Sequence, residues 1–497
     1  SMALYRWVCF VLILIGLYEL GVGLFQCIQV MRLGMPYYTV CGTFENPAPY
    51  SILIVLILPL ALDYALFVRF RHGQKVTNML FYLSAFYLLF SVVILVMCVS
   101  RAAWVASVIS LMSMVWLRMK CAWIKKCFVL LAVFVLCVPF LYGMYVLKKD
   151  SADGRLFIWK ISYPVAKQQI FSGVGIGGFP YVYGEAQEAY FREGKGTQDE
   201  EMLVGAPDYA YNEYLQIWIE LGLPGVLSCL CLMAYVYIRL LRCRNVEVVG
   251  LCGAMVSFMV VSLFSYPLRC FATCLLSLFL LLWAAWMPMM LCEKKRYGKV
   301  GMVCGLLVLI GVGAVVCIQF NKSYRTCTAM KHWGMVRPYF DREKYEGIEN
   351  CYRVLYPDLK KDVGFLFEYG MCLSYNGHYE ESNIILNEGA KRSSDPMFFN
   401  LMGKNFQALG RFEEAEEMFY KAYYRVPHRI YPLYLLMGLY EKEGRDLEML
   451  EKAHQIVGKK EKVPSSLTGY LKKEAGLKLQ EYERSNGKGK NMEIDWF

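Results

Sequence analysis

The chain has 497 residues, 57% of them hydrophobic and only 19% charged, with a formal net charge of +11. A soluble domain carries about 25% charged residues, so the deficit points to lipid contact and argues against a wholly soluble fold. The Lys and Arg cluster in short loops beside apolar runs, which is an orientation signal of membrane proteins, so the positive balance does not indicate nucleic-acid binding.

In chain order, the apolar runs predict nine membrane spans of the length a bilayer core requires, about 20 residues for a helix. The first five cover Tyr5–Met31, Tyr50–Phe70, Thr77–Cys98, Ala102–Leu117 and Trp123–Leu147. After a long polar stretch come Leu223–Ile238, Val246–Phe264, Phe271–Leu291 and Val300–Phe320. The basic clusters Arg69/Arg71/Lys75, Arg118/Lys120/Lys125/Lys126, Arg239/Arg242/Arg244 and Lys294/Lys295/Arg296/Lys299 then all fall on one side. Positive charge marks the cytoplasmic side. The loops 32–49 and 148–221, the junction at Ser100–Trp104 and everything after Gln319 are therefore expected on the outer face. Two acids lie inside expected spans, Glu19 and Asp63. Such acids are costly in lipid and are either functional or paired, with Arg101 or a backbone donor as the expected partner. Most cysteines sit in apolar runs and read as small hydrophobes. No CxxC pair suggests zinc or redox chemistry, although Cys327, Cys351 and Cys372 allow one disulfide if their segment lies outside the cell membrane.

The C-terminal part has a period. Gly370, Gly377, Tyr379, Glu380 and Glu381 recur about 33 residues later as Gly403, Gly410, Phe412, Glu413 and Glu414, and Gly438, Gly444 and Asp446 echo them again. A helix pair of about 34 residues with glycine at its turn resembles the tetratricopeptide repeat. The fold expected is thus all-α: a polytopic membrane domain over 1–320, with a large outer loop at 148–221, followed by a helical-repeat solenoid over 321–497. Stacked repeats bury a shared core and leave a concave face for a partner.

The outer loop is rich in aromatic residues and suggests a folded cap or re-entrant helices lying on the membrane surface. Its "SGVGIGGFP" run holds Gly173, Gly175, Gly177 and Gly178, which permit tight turns or close backbone approach. No Gly-Lys-Ser/Thr follows, so it is not a P-loop. Arg101 in "SRAAW" and Arg155 in "GRLFIWK" map to the outer boundary. A guanidinium fork suits phosphate groups, while a boundary arginine also suits lipid headgroups. Arg269 in "SYPLRC" lies at a similar depth and leaves the same two readings.

The ordered motifs "GTFENPAPYS", "SRAAW", "GRLFIWKISYP…FSGVGIGGF" and "AYNEYLQIWIELGLPG" resemble the O-antigen ligase and polymerase family of bacterial membranes, over roughly Gly16 to Pro288. The resemblance implies a multi-pass protein of the bacterial inner membrane with its C-terminal domain in the periplasm. It implies transfer of a glycan from an undecaprenyl-diphosphate carrier to a lipid, polysaccharide or protein hydroxyl, with no metal or nucleotide cofactor. Arg101 and Arg155 match the family's arginines and would bind the carrier diphosphate. Within the same motifs, Trp159, Lys160, Gly175, Gly177 and Asn212 are the substrate-binding candidates. The family's histidine before that asparagine is Tyr211 here. None of the five histidines lies in the loop, so Glu213, Glu220 or no strong base takes its role. The family usually has several spans before the first motif, and this chain has one. A protein partner is expected on the repeats. The rival expectation is a non-catalytic scaffold of a polysaccharide assembly or export complex.

Overall fold

The computed structural model describes residues 2–34, 39–67, 75–120, 122–147, 149–243, 248–291 and 323–486. The ninth expected span, Val300–Phe320, lies outside them. Every regular element among the described residues is helical. The chain divides into two compact units, one formed by 1–156, 166–173 and 209–296, the other by 157–165, 174–208 and 297–497.

The first unit contains α1 (Met2–Leu33), α2 (Pro47–Leu62), α3 (Lys75–Cys98), α4 (Arg101–Arg118), α5 (Trp123–Leu147), α9 (Glu213–Arg242), α10 (Val249–Phe264) and α11 (Phe271–Leu291). Asn46 caps α2 by accepting from the Ala48 N–H at 2.9 Å, and Pro47 opens the helix, where its missing N–H is harmless. Every residue from Pro49 to Ala61 is buried. A helix apolar all round belongs inside a bundle, and α2 packs against α1, α3, α4, α10 and α11. α4 and α10 lie close because their contact residues are small. Ser110 donates to the Gly253 carbonyl at 2.8 Å, and a side chain at Gly253 would strike Met114 and Pro59. The outer faces are apolar stripes, for example Phe271, Leu275, Leu278 and Leu282 on α11. Stripes of this size suit lipid. Among the described residues, α1, α2 with its continuation, α3, α9 and α11 are long and apolar enough to cross a membrane; α10 is shorter.

Glu19 and Asp63 both have partners in the fold. Glu19 accepts from Thr43 through its N–H at 3.1 Å and its hydroxyl at 2.7 Å. Gln26 accepts from the Cys41 and Gly42 N–H groups and donates back to the Gly42 carbonyl. These two polar residues of α1 hold the "CGTFENP" segment, where buried backbone groups need partners. Asp63 opens a π-helical turn, Asp63–Phe67, and forms an ion pair with Arg118.

The second unit contains α7 (Phe179–Arg192), α8 (Gln198–Leu203), α12 (323–340), α13 (Tyr345–Leu359), α14 (Val363–Tyr375), α15 (Tyr379–Ala390), α16 (Met397–Ala408), α17 (Phe412–Arg425), α18 (Tyr431–Glu443), α19 (Asp446–Gly458) and α20 (Ser466–Asn486). α6 (Lys149–Gln168) runs through both units. From α14 onward, consecutive helices pack in pairs. Gly377, Gly410 and Gly444 turn each pair at φ of 84°, 73° and 70°, a region that favours glycine. Within the first two pairs the helices approach at Gly370 against Leu386 and Gly403 against Phe419; Gly438 makes no such approach. Cys327, Cys351 and Cys372 are free thiols.

α7 and α8, from the expected outer loop, pack into this second unit. Arg425 at the end of α17 is fully buried. It donates to Glu185 at 2.5 Å and to the Ser393 carbonyl at 3.2 Å, lies 3.6 Å from Glu188, and sits over the Phe399 ring. Gln187 donates to the Arg425 and Gly205 carbonyls. A side chain at Gly184 would strike the Arg425 guanidinium.

Candidate functional site

The arginines singled out by sequence meet in the first unit. Val99, at φ 49°, turns the chain between α3 and α4, and Ser100 accepts a 2.8 Å hydrogen bond from Ser51. This fixes Arg101 as the first residue of α4. Its Nη2 donates to Ser151 on α6 at 3.3 Å. One helical turn after Ser151 stands Arg155. Its Nη1 donates at 2.6 Å to the carbonyl of Phe264, the last residue of α10, where helix carbonyls lack intrahelical donors. The Arg155 guanidinium also lies over the Tyr211 ring, 5.1 Å from its centroid. Burial and the nearby Arg101 charge push the Arg155 guanidinium below its ordinary value, while Tyr211 and Tyr266 act the other way. An arginine holds its proton under such a shift. Two positive charges therefore stand close enough to repel.

Tyr211 has φ 53°, a left-handed conformation uncommon for a side chain of this size. Strain of this kind amounts to about 1–3 kcal/mol and concentrates at functional sites. Tyr266 meets its edge at 5.3 Å and stacks on Tyr209 at 5.3 Å. Burial, and then Tyr211, push the Tyr266 hydroxyl up to about 12, so at neutral pH it remains a donor.

The residues after Tyr211 start α9. Asn212 caps it by accepting from the Leu215 N–H at 3.0 Å. Glu213 is buried, accepts from the Leu268 N–H at 2.8 Å, and lies 3.7 Å from Arg269. Arg269 reaches on to Glu220 at 3.1 Å, and Gln216 joins Glu220 to the Ala210 N–H. Arg269 is thus clamped between two buried carboxylates. Sequence offers Arg269, Glu213 and Glu220 separately but not this network, because nothing in their spacing joins "SYPLRC" to "NEYLQIWIE". Further along α9, a side chain at Gly222 (φ 73°) would meet the Phe171 carbonyl at 2.6 Å, and one at Gly173 (φ 63°) would run into the Glu220 carbonyl. Leu223 N–H donates to Ile170 O at 2.7 Å. These glycines allow the segment before α7 to cross α9 in backbone contact.

The remaining candidates lie in the second unit. Lys160 is held by Glu200 at 2.7 Å and the Tyr190 hydroxyl at 2.8 Å. Glu200 closes the capping box of α8 with Thr197. Trp159 neighbours Lys160 on α6. Gly175 and Gly177, at φ 91° and 80°, form the turn into α7, with the Gly178 N–H donating to the Gly175 carbonyl.

The apolar helices and the arginine pair define a helical membrane protein with a polar site at the ends of α4, α6, α9 and α10. Residues 86–230 match the family model of the O-antigen ligase. The match contains Arg101, Arg155, Tyr211, Asn212 and Glu213, and is narrower than the Gly16–Pro288 stretch carrying the motif resemblance. No curated protein matches the chain.

Proposed function

We propose that the protein is a membrane glycosyltransferase of the O-antigen ligase type, working on the outer face of the bacterial inner membrane. The observation that carries this reading is the pairing of Arg101 with Arg155 beside Tyr211, within the matched region. Two guanidiniums that repel each other favour an anion, and a carrier diphosphate supplies one. The acceptor hydroxyl oxygen bonds to the anomeric carbon as the bond to the carrier's phosphate oxygen breaks. The electron pair goes to that oxygen, where Arg101 and Arg155 stabilise the growing charge. One well-placed donor is worth about 3 kcal/mol in such a step.

Glu213 is engaged by Leu268 and Arg269, so we assign it to positioning the first turn of α9. Tyr211 and Asn212 then border the acceptor, and the departing diphosphate takes the hydroxyl proton. The helical pairs of the second unit form tetratricopeptide-like repeats in this reading and recruit an acceptor or assembly protein. A groove of about 450 Å³ supports it, floored by Ile384, Met402, Phe406 and Met418 and rimmed by Glu380, Glu413, Glu414 and Glu417. The test is a purified-component assay with an undecaprenyl-diphosphate oligosaccharide, in which release of the carrier diphosphate should require Arg155.

A further inference from the structure

A second polar cavity, of about 230 Å³, lies in the second unit, where α8 meets α17 and α19. Drug-sized pockets run from about 300 to 1,000 Å³, so this one suits a single ring rather than an extended ligand. Its walls carry Gln198, Tyr423, His428, His454, Lys459 and Lys460, with the Glu201 carboxylate between them. Lys459 is held at 3.4 Å from Glu201 and 3.2 Å from the Tyr423 hydroxyl. The lining thus carries two lysines against one acid. His428 hydrogen-bonds to the Glu201 carbonyl at 3.0 Å through Nδ1, which makes Nδ1 the donor and leaves Nε2 an acceptor. Burial, then the charges of Lys462, Arg429 and Lys459, lower the His428 pKa to about 4. The ring is neutral near pH 7 and the surroundings are positive.

Amides, a phenol, a neutral imidazole and an aromatic face are the groups that meet sugar hydroxyls, as donors and acceptors together. The lysine excess adds preference for an anion. We propose that this cavity binds an acidic sugar residue, a pyranose bearing a carboxylate, with Lys460 and His454 at its mouth meeting the acid group. Because α8 forms one wall and α17 and α19 the other, an occupant would tie α8 more firmly to the repeats.

The test is calorimetric titration of the full chain in detergent at pH 7.5 with a glucuronate-containing disaccharide, cellobiose and inorganic phosphate as separate probes. The disaccharide should bind with a Kd of about 0.1–1 mM, at least about tenfold tighter than cellobiose or phosphate. Lys460→Gln with His454→Gln should weaken it about five- to tenfold, as expected for losing partly exposed charged hydrogen bonds. Both positions are exposed, so the fold should survive, and Lys331→Gln on α12 should change nothing. Equal binding of cellobiose, equal binding of phosphate, or no effect of the paired substitution would each overturn the proposal. The readout is binding, so it is separable from whether glycan transfer is observed.

Discussion

Arg425 offers the sharpest test of how the second unit is held together. It is fully buried, while its partners differ: Glu188 is 9% exposed at its side chain and Glu185 is 42% exposed. Replacing Arg425 by methionine leaves Glu185 to water but strands Glu188 in the interior. Breaking a buried pair by removing one partner costs about 3–5 kcal/mol. Arg192 still reaches Glu188 at 3.0 Å, which places the expected loss near the lower end, about 3 kcal/mol. For a unit of this size, 1 kcal/mol corresponds to roughly 2–4 °C in Tm, so Arg425→Met should lower the melting transition by about 6–12 °C. The change can be followed by tryptophan fluorescence, to which Trp333 in this unit contributes, together with limited proteolysis between Glu193 and Asp208. The double substitution Arg425→Met/Glu188→Gln should lose less than Arg425→Met alone, because no buried charge is left unpaired. A single variant melting within about 2 °C of wild type, with the 193–208 segment equally protected, would refute the view that this ion cluster ties α7 to α17.

Three further outcomes follow from the same contacts. Glu213→Gln should keep at least about a third of the transfer rate if the residue positions α9; a general base in its place would show a loss of about 10²–10⁴-fold. Gly173→Ala should lower stability by about 2–4 kcal/mol, since a left-handed backbone and a clash with the Glu220 carbonyl act together, read as a lower Tm and poor monodispersity in detergent. The stability of the second unit should fall on acidification. His428 has its folded pKa lowered to about 4 from 6.5, so its contribution is fully present above pH 6.5 and is lost as the unfolded chain takes up a proton between pH 6.5 and 4. His428→Gln should flatten the Tm profile in that window, and an unchanged slope would rule out this histidine as the cause.

The membrane part was legible because lipid imposes a simple demand on sequence. Among the described residues, apolar runs of span length became helices at the expected places, with α2 and α10 apolar all round and therefore central. The five helices that are long and apolar enough to cross a membrane all correspond to expected spans. The arginine pair was legible from motif order, since Arg101 and Arg155 each occupy a helix start or first turns that geometry brings to one place. What could not be read is pairing at long range. Asp63 finds Arg118, and Glu19 finds Thr43, but neither choice leaves a local mark in sequence. The stretch 148–221 reads as one loop in sequence, yet its 166–173 segment packs with the apolar helices of the first unit while 174–208 packs with the helical pairs of the second. The first packing uses Gly173, a close backbone contact, and the second uses Arg425, a buried charge, and neither has a periodic signature. Arg425 in "YYRVP" looks like any basic residue closing a helix.

The most direct test of the central claim is a glycan profile of cells lacking this protein, complemented with the wild-type chain or with Arg155→Ala at matched abundance. Removing a donor to the departing diphosphate should lower transfer by about 10²–10³-fold. The account predicts that one glycan class, on lipid, polysaccharide or protein, disappears on deletion and returns with the wild-type chain only. Full restoration by Arg155→Ala would contradict it and would favour a scaffolding role for the membrane part.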